Sequence, residues 1–240
     1  MIRQMTSQEY IEFWSRNAKQ HFDDGDYEWI CDKIRQIPSE KPINRLLEVG
    51  CGAGWSTLTF ILRDFEPVSI DANEVAIRTT KELIEANDYF PAEESVKLQQ
   101  ADVVHDFKTV HEELNSNPVD LIVLCNPGGS TKAILTKQEK KWLDWGNFSE
   151  DEYYQENLPQ LHTYSMIYAC CGLSSMTETP LLIVQRDTRE EILETLQRIG
   201  IDGNVRLVNH CLRQIKRPPE GGVTISGEGD LYWGMGLYFP

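Results

Sequence analysis

The chain has 240 residues, 40% hydrophobic and 25% charged, enough to bury the core of one globular domain with appendages. Its longest apolar runs, such as Leu121-Ile122-Val123-Leu124-Cys125, fall far short of the roughly 20 residues of a membrane-spanning helix, and the start Met1-Ile2-Arg3-Gln4 turns polar at once, so no membrane partner and a cytoplasmic location are expected. With 23 Lys+Arg against 38 Asp+Glu the net charge is -15, a field that repels phosphate backbones and disfavours nucleic acid; a neutral or cationic substrate fits it better, although such acidity also serves solubility alone.

Thr6-Ser7-Gln8-Glu9 has the form of a capping box, and Tyr10, Phe13, Trp14, Ala18 and Phe22 follow at helical spacing. Asp24-Gly25-Asp26 ends that helix, and Trp29, Ile30, Ile34 and Ile37 predict a second one before Pro38. Residues 1–42 are expected to form an N-terminal helical cap on a main domain over 43–240. From residue 43 short apolar runs alternate with amphipathic stretches, the mark of repeated βαβ units and a parallel sheet. Strands are predicted at 45–49, 67–70, 96–101, 119–125 and 181–185. Between them Trp55, Leu58, Ile61, Leu62 and Phe65 form one helical face, Ala76, Leu83 and Ile84 another, and Phe107, Val110 and Leu114 a third. A helix over 189–199 ending at Gly200, a strand at 205–211 and an aromatic strand at 231–239 complete the pattern. Residues 126–180 are far longer than the connections of about 2 to 6 residues usual in such units. An inserted lid is expected at about 127–160, aromatic (Trp142, Trp145, Tyr153, Tyr154) and acidic (Glu150, Asp151, Glu152), ahead of a helical run over 161–171.

Six cysteines (Cys31, Cys51, Cys125, Cys170, Cys171, Cys211) form no C-x-x-C pair, so neither a metal site nor a disulfide framework is expected. The chemistry is carried instead by Leu46-Leu47-Glu48-Val49-Gly50-Cys51-Gly52-Ala53-Gly54, an apolar strand running into a glycine-rich turn and a helix. Glycines serve where a backbone turns tightly and approaches a ligand with no side chain between. The dinucleotide fingerprint G-x-G-x-x-G requires a glycine at position 55, where Trp55 stands, which weakens pyrophosphate binding as a reading.

The form Glu48-x-Gly50-x-Gly52-x-Gly54 resembles motif I of the class I S-adenosylmethionine-dependent methyltransferases. The resemblance implies S-adenosylmethionine as cofactor, with Gly50, Cys51, Gly52 and Gly54 against its methionine part and Glu48 holding the loop and the cofactor's amino group. It also implies a Rossmann-like, doubly wound α/β fold: a mostly parallel seven-stranded sheet with helices on both faces and a reversed C-terminal strand. Asp71, about 20 residues beyond the loop, stands where a carboxylate accepts from both ribose hydroxyls, a spacing shared with nicotinamide-binding folds. Ala72 and Asn73 flank the adenosine by the same resemblance. Asp102, with Val103, is similar to the family position that accepts from the adenine amino group; a turn or helix cap is the competing reading of Asp102. The fourth strand ends in Asn126-Pro127-Gly128-Gly129. Family members that modify exocyclic amines carry N/D-P-P-Y/F there, of which only Asn126-Pro127 matches, so Asn126 is a candidate for cofactor contact and catalysis against a plain turn.

Methyl transfer from a sulfonium is an in-line displacement whose main requirement is a nucleophile held against the methyl group and shielded from water. Where a general base is needed, His162 and His105 are candidates by residue type. Substrate should enter at the carboxyl edge of the sheet, beneath a cover. Tyr10, Trp14 and His21 from the N-terminal helices, or Trp142, Trp145 and Tyr153 from the insertion, are the candidate cover, with plain core packing the alternative. The expected activity is methyl transfer to an N or O nucleophile, most simply of a small molecule. Protein or peptide methylation, nucleic-acid amino-methylation, a catalytically silent S-adenosylmethionine binder and nicotinamide-dependent reduction are the rivals.

Overall fold

The computed structural model describes residues 7–87, 96–125, 158–215 and 230–240. The elements alternate as the hydrophobic pattern predicts. Two helices, α1 (Ser7–Asp23) and α2 (Asp26–Arg35), precede β1 (Arg45–Val49), α3 (Trp55–Leu62), β2 (Glu66–Asp71), α4 (Glu74–Ala86), β3 (Lys97–Gln100), α5 (Phe107–Ser116) and β4 (Leu121–Cys125). After them come α6 (Leu158–Thr177), β5 (Leu181–Asp187), α7 (Arg189–Asp202), β6 (Arg206–Ile215) and β7 (Leu231–Phe239). The strands form one seven-stranded sheet in the order β3-β2-β1-β4-β5-β7-β6. The first five strands pair in parallel, and β7 runs antiparallel between β5 and β6. This is the Rossmann-like fold with a reversed C-terminal strand.

Both faces of the sheet are covered, which is why its central strands read as unbroken apolar runs. On one face Tyr27, Ile30, Cys31 and Ile34 of α2 and Phe60 of α3 pack on Leu46, Leu121, Val123, Leu182, Val184 and Trp233. On the other, Val110 and Leu114 of α5, Ile167 and Cys170 of α6, and Ile192, Leu196 and Ile199 of α7 pack on Leu47, Ile122, Leu124 and Ile183. Helix α2 therefore contributes to the main core, while α1 lies above it, with Ile11 on Ala53 and Ala76. All six cysteines are free; burial pushes the Cys31 thiol up to about 12, and such a group behaves as a small hydrophobe. Among the described residues no helix is long and apolar enough to cross a membrane.

Several element boundaries differ from the sequence reading, and at three of them the helix or strand runs on for a visible reason. Helix α7 runs through Gly200 to Asp202 and stops at Gly203, whose N–H closes the last turn on Ile199. Helix α6 continues past Cys171 because Leu173 and Ser174 are buried in turn. Strand β6 extends to Ile215, since β7 offers ladder partners along its whole length and so satisfies backbone groups under polar side chains.

Helix α7 sits directly on the backbone of β7. A Cβ added at Gly234 would lie 2.2 Å from Cγ2 of Ile192, a stiff branched side chain that cannot swing away. Gly234→Ala is expected to cost about 1–3 kcal/mol by overpacking, seen as a lower urea midpoint at unchanged m-value; an unchanged midpoint would refute the tight seating.

Candidate functional site

Val49, the last residue of β1, is in register with Ile70 of β2 and Leu124 of β4, so the chain leaves the sheet at its carboxyl edge. It then turns through three residues in the left-handed region, Gly50 (φ +79), Gly52 (φ +56) and Gly54 (φ +84), before entering α3. Their reasons for being glycine differ. A Cβ at Gly54 would sit 2.8 Å from the Thr80 Cα, so this glycine is required by the contact of the loop with α4. A Cβ at Gly50 or Gly52 would meet nothing within 4 Å, so these two present bare backbone to open space.

Hydrogen bonds fix the turn from below. The amides of Gly50 and Cys51 donate to the Ile70 carbonyl at 2.8 and 3.2 Å, and Gly54 donates to Cys51 at 2.9 Å. The Gly52 amide donates to Oδ2 of Asp71 at 2.9 Å, while Oδ1 of the same carboxylate accepts from the Asn73 amide at 2.8 Å. The Cys51 thiol is turned down to Thr80, 3.6 Å from its hydroxyl. Helix α3 starts at Gly54 with no side-chain cap and no acidic residue in its first turn, whereas α4 is capped by Asn73. The start of α3 thus stands without a side-chain cap beside the open face of the loop.

Beneath the loop lies Glu48, completely buried. Its carboxylate accepts from the hydroxyls of Ser56, Thr57 at 2.5 Å and Ser69 at 2.6 Å, so one side chain ties β1 to β2 and to the first turn of α3. Burial raises its pKa above the ordinary 4.5, and the three hydroxyls pull in the opposite direction.

Of the remaining sequence candidates, Ala72 follows β2 and Asp102 and Val103 follow β3 at the same edge of the sheet. Asp102 follows β3 and folds back on its own turn: Oδ1 accepts from the Val104 and His105 amides at 2.9 and 3.3 Å, with the His105 ring 3.7 Å from Oδ2. Val103 is buried in the core, and the Ala72 carbonyl accepts from Gln100 at 3.3 Å. Tyr10 and Trp14 fall on α1 and His162 on α6, with side chains outside the described residues. Asn126, Trp142, Trp145 and Tyr153 lie outside the described residues altogether. Among the described residues no group of histidine, cysteine or acidic side chains is arranged to hold a metal ion.

Helix α1 reaches this site directly. Ile11 rests on Ala53 in the loop, and Trp55 donates from its indole to Ser15 at 3.3 Å. At its far end, the His21 ring meets a polar cluster that sequence reasoning missed. Asp26 accepts at Oδ2 from the Trp233 indole at 3.1 Å and from Nδ1 of His21 at 2.8 Å, with Nε of Arg213 3.4 Å from its other oxygen. Arg186 donates from Nη1 to Nε2 of His21 at 2.8 Å. Because a guanidinium has only donors, Nε2 must accept, so the ring is neutral and its single proton faces Asp26. No spacing signal reveals this group, since the partners come from α1, α2, β5, β6 and β7.

No protein-family model matches the chain, and no curated protein matches it. Solved structures do. The methyltransferase domain of bacterial CtHen1 superposes with a TM-score of 0.54 at 11% identity, over 92% of this chain and 99% of the other. The METTL16 methyltransferase domain gives 0.52 at 11% identity, over 91% and 82%. The N-methyltransferase NodS from Bradyrhizobium japonicum, in complex with S-adenosylhomocysteine, gives 0.50 at 13% identity, over 91% and 88%. The chain is similar to these proteins in architecture and has the fold of the class I S-adenosylmethionine-dependent methyltransferases.

Removing the carboxylate beneath the loop should loosen the whole turn. Glu48→Ala leaves three buried hydroxyls without their acceptor, a loss of about 2–4 kcal/mol in urea unfolding. The pH dependence has a definite sign. With a folded pKa above 4.5, ionising Glu48 takes stability away as pH rises from 4.5 through the folded value. Glu48→Gln lacks this term, so its stability relative to wild type should rise with pH across that window; a constant difference would contradict the assignment.

Proposed function

We propose that the chain is an S-adenosylmethionine-dependent methyltransferase that transfers a methyl group to an N or O nucleophile of a small molecule. The observation that carries the cofactor choice is the occupancy of the loop amides. Gly50, Cys51, Gly52 and Gly54 all donate to protein acceptors, so their N–H groups are not available to cradle a pyrophosphate, while Gly50 and Gly52 still leave open space for a ligand. An uncharged thioether or sulfonium segment fits such a surface better than a phosphate does.

In this reading Gly50, Cys51, Gly52 and Gly54 line the methionine part with backbone, and the uncapped start of α3 favours its carboxylate. Glu48 keeps the loop in shape from below. Asp71, at the end of β2, braces Gly52 and presents its carboxylate at the ribose position; Ala72 flanks the adenosine, and Asp102 and Val103 stand at the adenine position after β3. Asn126, one residue beyond β4, is assigned to the edge where cofactor and acceptor meet, and His162 is the candidate base for an acceptor that must lose a proton. When bound, the cofactor supplies an electrophilic methyl group on sulfur. The protein's part is to hold the acceptor in line and exclude water. The net charge of -15 favours a small acceptor over a nucleic acid.

Calorimetry provides the test. S-adenosylhomocysteine should bind and NADH should not; Asp71→Ala should weaken the first by about tenfold or more, as expected for loss of charge-assisted hydrogen bonds. Tight NADH binding, or an Asp71→Ala variant with unchanged affinity, would overturn the cofactor assignment. Production of S-adenosylhomocysteine on screening a metabolite library then identifies the acceptor.

A further inference from the structure

The first residues of α2 are set at the carboxyl edge of the sheet by a chain of pairings. Asp26 accepts from the Trp233 indole at 3.1 Å. Trp233 is in register with Arg186, which follows Val184 in β5, and Val184 is the partner of Cys125 at the end of β4. Tyr27 comes directly after Asp26, and its ring packs in the core cluster with Leu46 of β1, Val123 of β4 and Val184 of β5. His21 of α1 stands edge-on to that ring, the centroids 6.4 Å apart. Helix α2 packs beside α3, the helix that the glycine turn enters. Tyr27 therefore belongs to the same edge as the glycine turn, over the ends of β1, β4 and β5.

The phenol has no task within the fold. Tyr238, also buried, donates its hydroxyl to the Leu196 carbonyl at 2.8 Å, and the buried Trp233 indole is engaged by Asp26. The Tyr27 hydroxyl makes no hydrogen bond among the described residues, although only 7% of the residue is exposed. Among those residues Arg186 Nε is the one sealed side-chain nitrogen or oxygen without a partner. The Tyr27 oxygen is unpartnered but not sealed, so the exposed part of the residue includes its hydroxyl. Packing alone is met by phenylalanine, as at Phe60 and Phe65 in the same cluster. A hydroxyl kept at the rim of a core and open on one side marks a place for a polar atom of a ligand.

Its surroundings narrow the kind of atom. Burial raises the phenol pKa well above 10.0; Cys125 and Glu48 add to the rise, Arg186 opposes it and Asp26 adds again. The group thus stays a neutral phenol, able to accept or donate a hydrogen bond but unfit to take a proton as a base. Such an oxygen can accept an N–H from an amine and leave the nitrogen lone pair free to point elsewhere. An alcohol or a carboxylic acid, whose proton must leave before it becomes a good nucleophile, finds no base in Tyr27.

We propose that Tyr27 orients the methyl acceptor, its phenol oxygen accepting a hydrogen bond from an N–H, and that the acceptor is an amine. This rests on the methyltransferase reading and narrows its nucleophile from N or O to N.

Calorimetry on the full chain with two ligands tests the assignment before any acceptor is known. Sinefungin carries an amine on carbon where S-adenosylmethionine carries its methyl on sulfur, and S-adenosylhomocysteine carries nothing there. With the phenol as partner for that amine, sinefungin should bind more tightly than S-adenosylhomocysteine. Tyr27→Phe keeps the ring, and should leave Tm and S-adenosylhomocysteine affinity unchanged while weakening sinefungin by about tenfold. The ratio of the two affinities cancels any general loosening, which is all that a structural role would produce. An unchanged ratio would overturn the proposal, as would a marked fall in Tm, which would show the hydroxyl to be a structural bond. A metabolite screen in which alcohols or acids, and no amines, yield S-adenosylhomocysteine would overturn it equally. If the wild-type chain binds neither ligand, the methyltransferase reading falls and the orienting role with it; binding with an unchanged ratio removes the role of Tyr27 alone.

Discussion

A single carboxylate held away from water sets the geometry on which the site depends. Glu48 is fully buried, a placement that is costly for a charge unless hydrogen bonds replace the lost solvent. Ser56, Thr57 and Ser69 supply them from α3 and β2, and in doing so they join the strand before the turn to the helix after it. With both ends of the turn fixed, Gly50 and Gly52 are free to bend in conformations that other residues resist. Asp71 then needs only one contact, to the Gly52 amide, to link the loop to the neighbouring strand. The open backbone surface is thus a consequence of what lies under it.

The upper side of the site is organised by α1. From Ile11, seated on the loop, to His21, seated on the β5 and β7 ends, the helix advances ten residues, a rise of about 15 Å. It therefore spans both the glycine turn and the Arg186 cluster. Its two attachments differ in character. At the loop the contact is apolar, whereas at the far end a neutral imidazole is held between a carboxylate and a guanidinium, which fixes the rotation of the helix as well as its distance.

The fold was legible in the sequence because its signals are local. The first and last strands lie at the predicted residues, and the apolar runs of β4 and β5 announce a sheet covered on both faces. Boundaries moved where tertiary pairing outweighed local preference, as at Arg213 and Gln214 in β6 and at Gly200 in α7. The glycine turn was equally legible, since its residue types follow from the backbone angles it needs. The Asp26 cluster was not: Asp26 reads locally as a helix-start residue after Gly25, and Arg186 as the polar end of a strand. Their partners are chosen by the sheet order, which brings β5, β7 and β6 side by side, and no periodicity along the chain encodes such a meeting.

The reversed direction of β7 has a consequence for how the protein is made. Running antiparallel, β7 brings its early residue Trp233 to the edge where Asp26 waits, so two residues 207 positions apart share one hydrogen bond. Helix α1 emerges from the ribosome before the sheet, yet its His21 seat is complete only when Trp233 has been synthesised. Until then Asp26 and the apolar face of α2 lack their partner, and this part of the chain must wait, exposed, for the contact with β7 to be made. Assembly of the roof is in this way a late event, coupled to completion of the sheet beneath it.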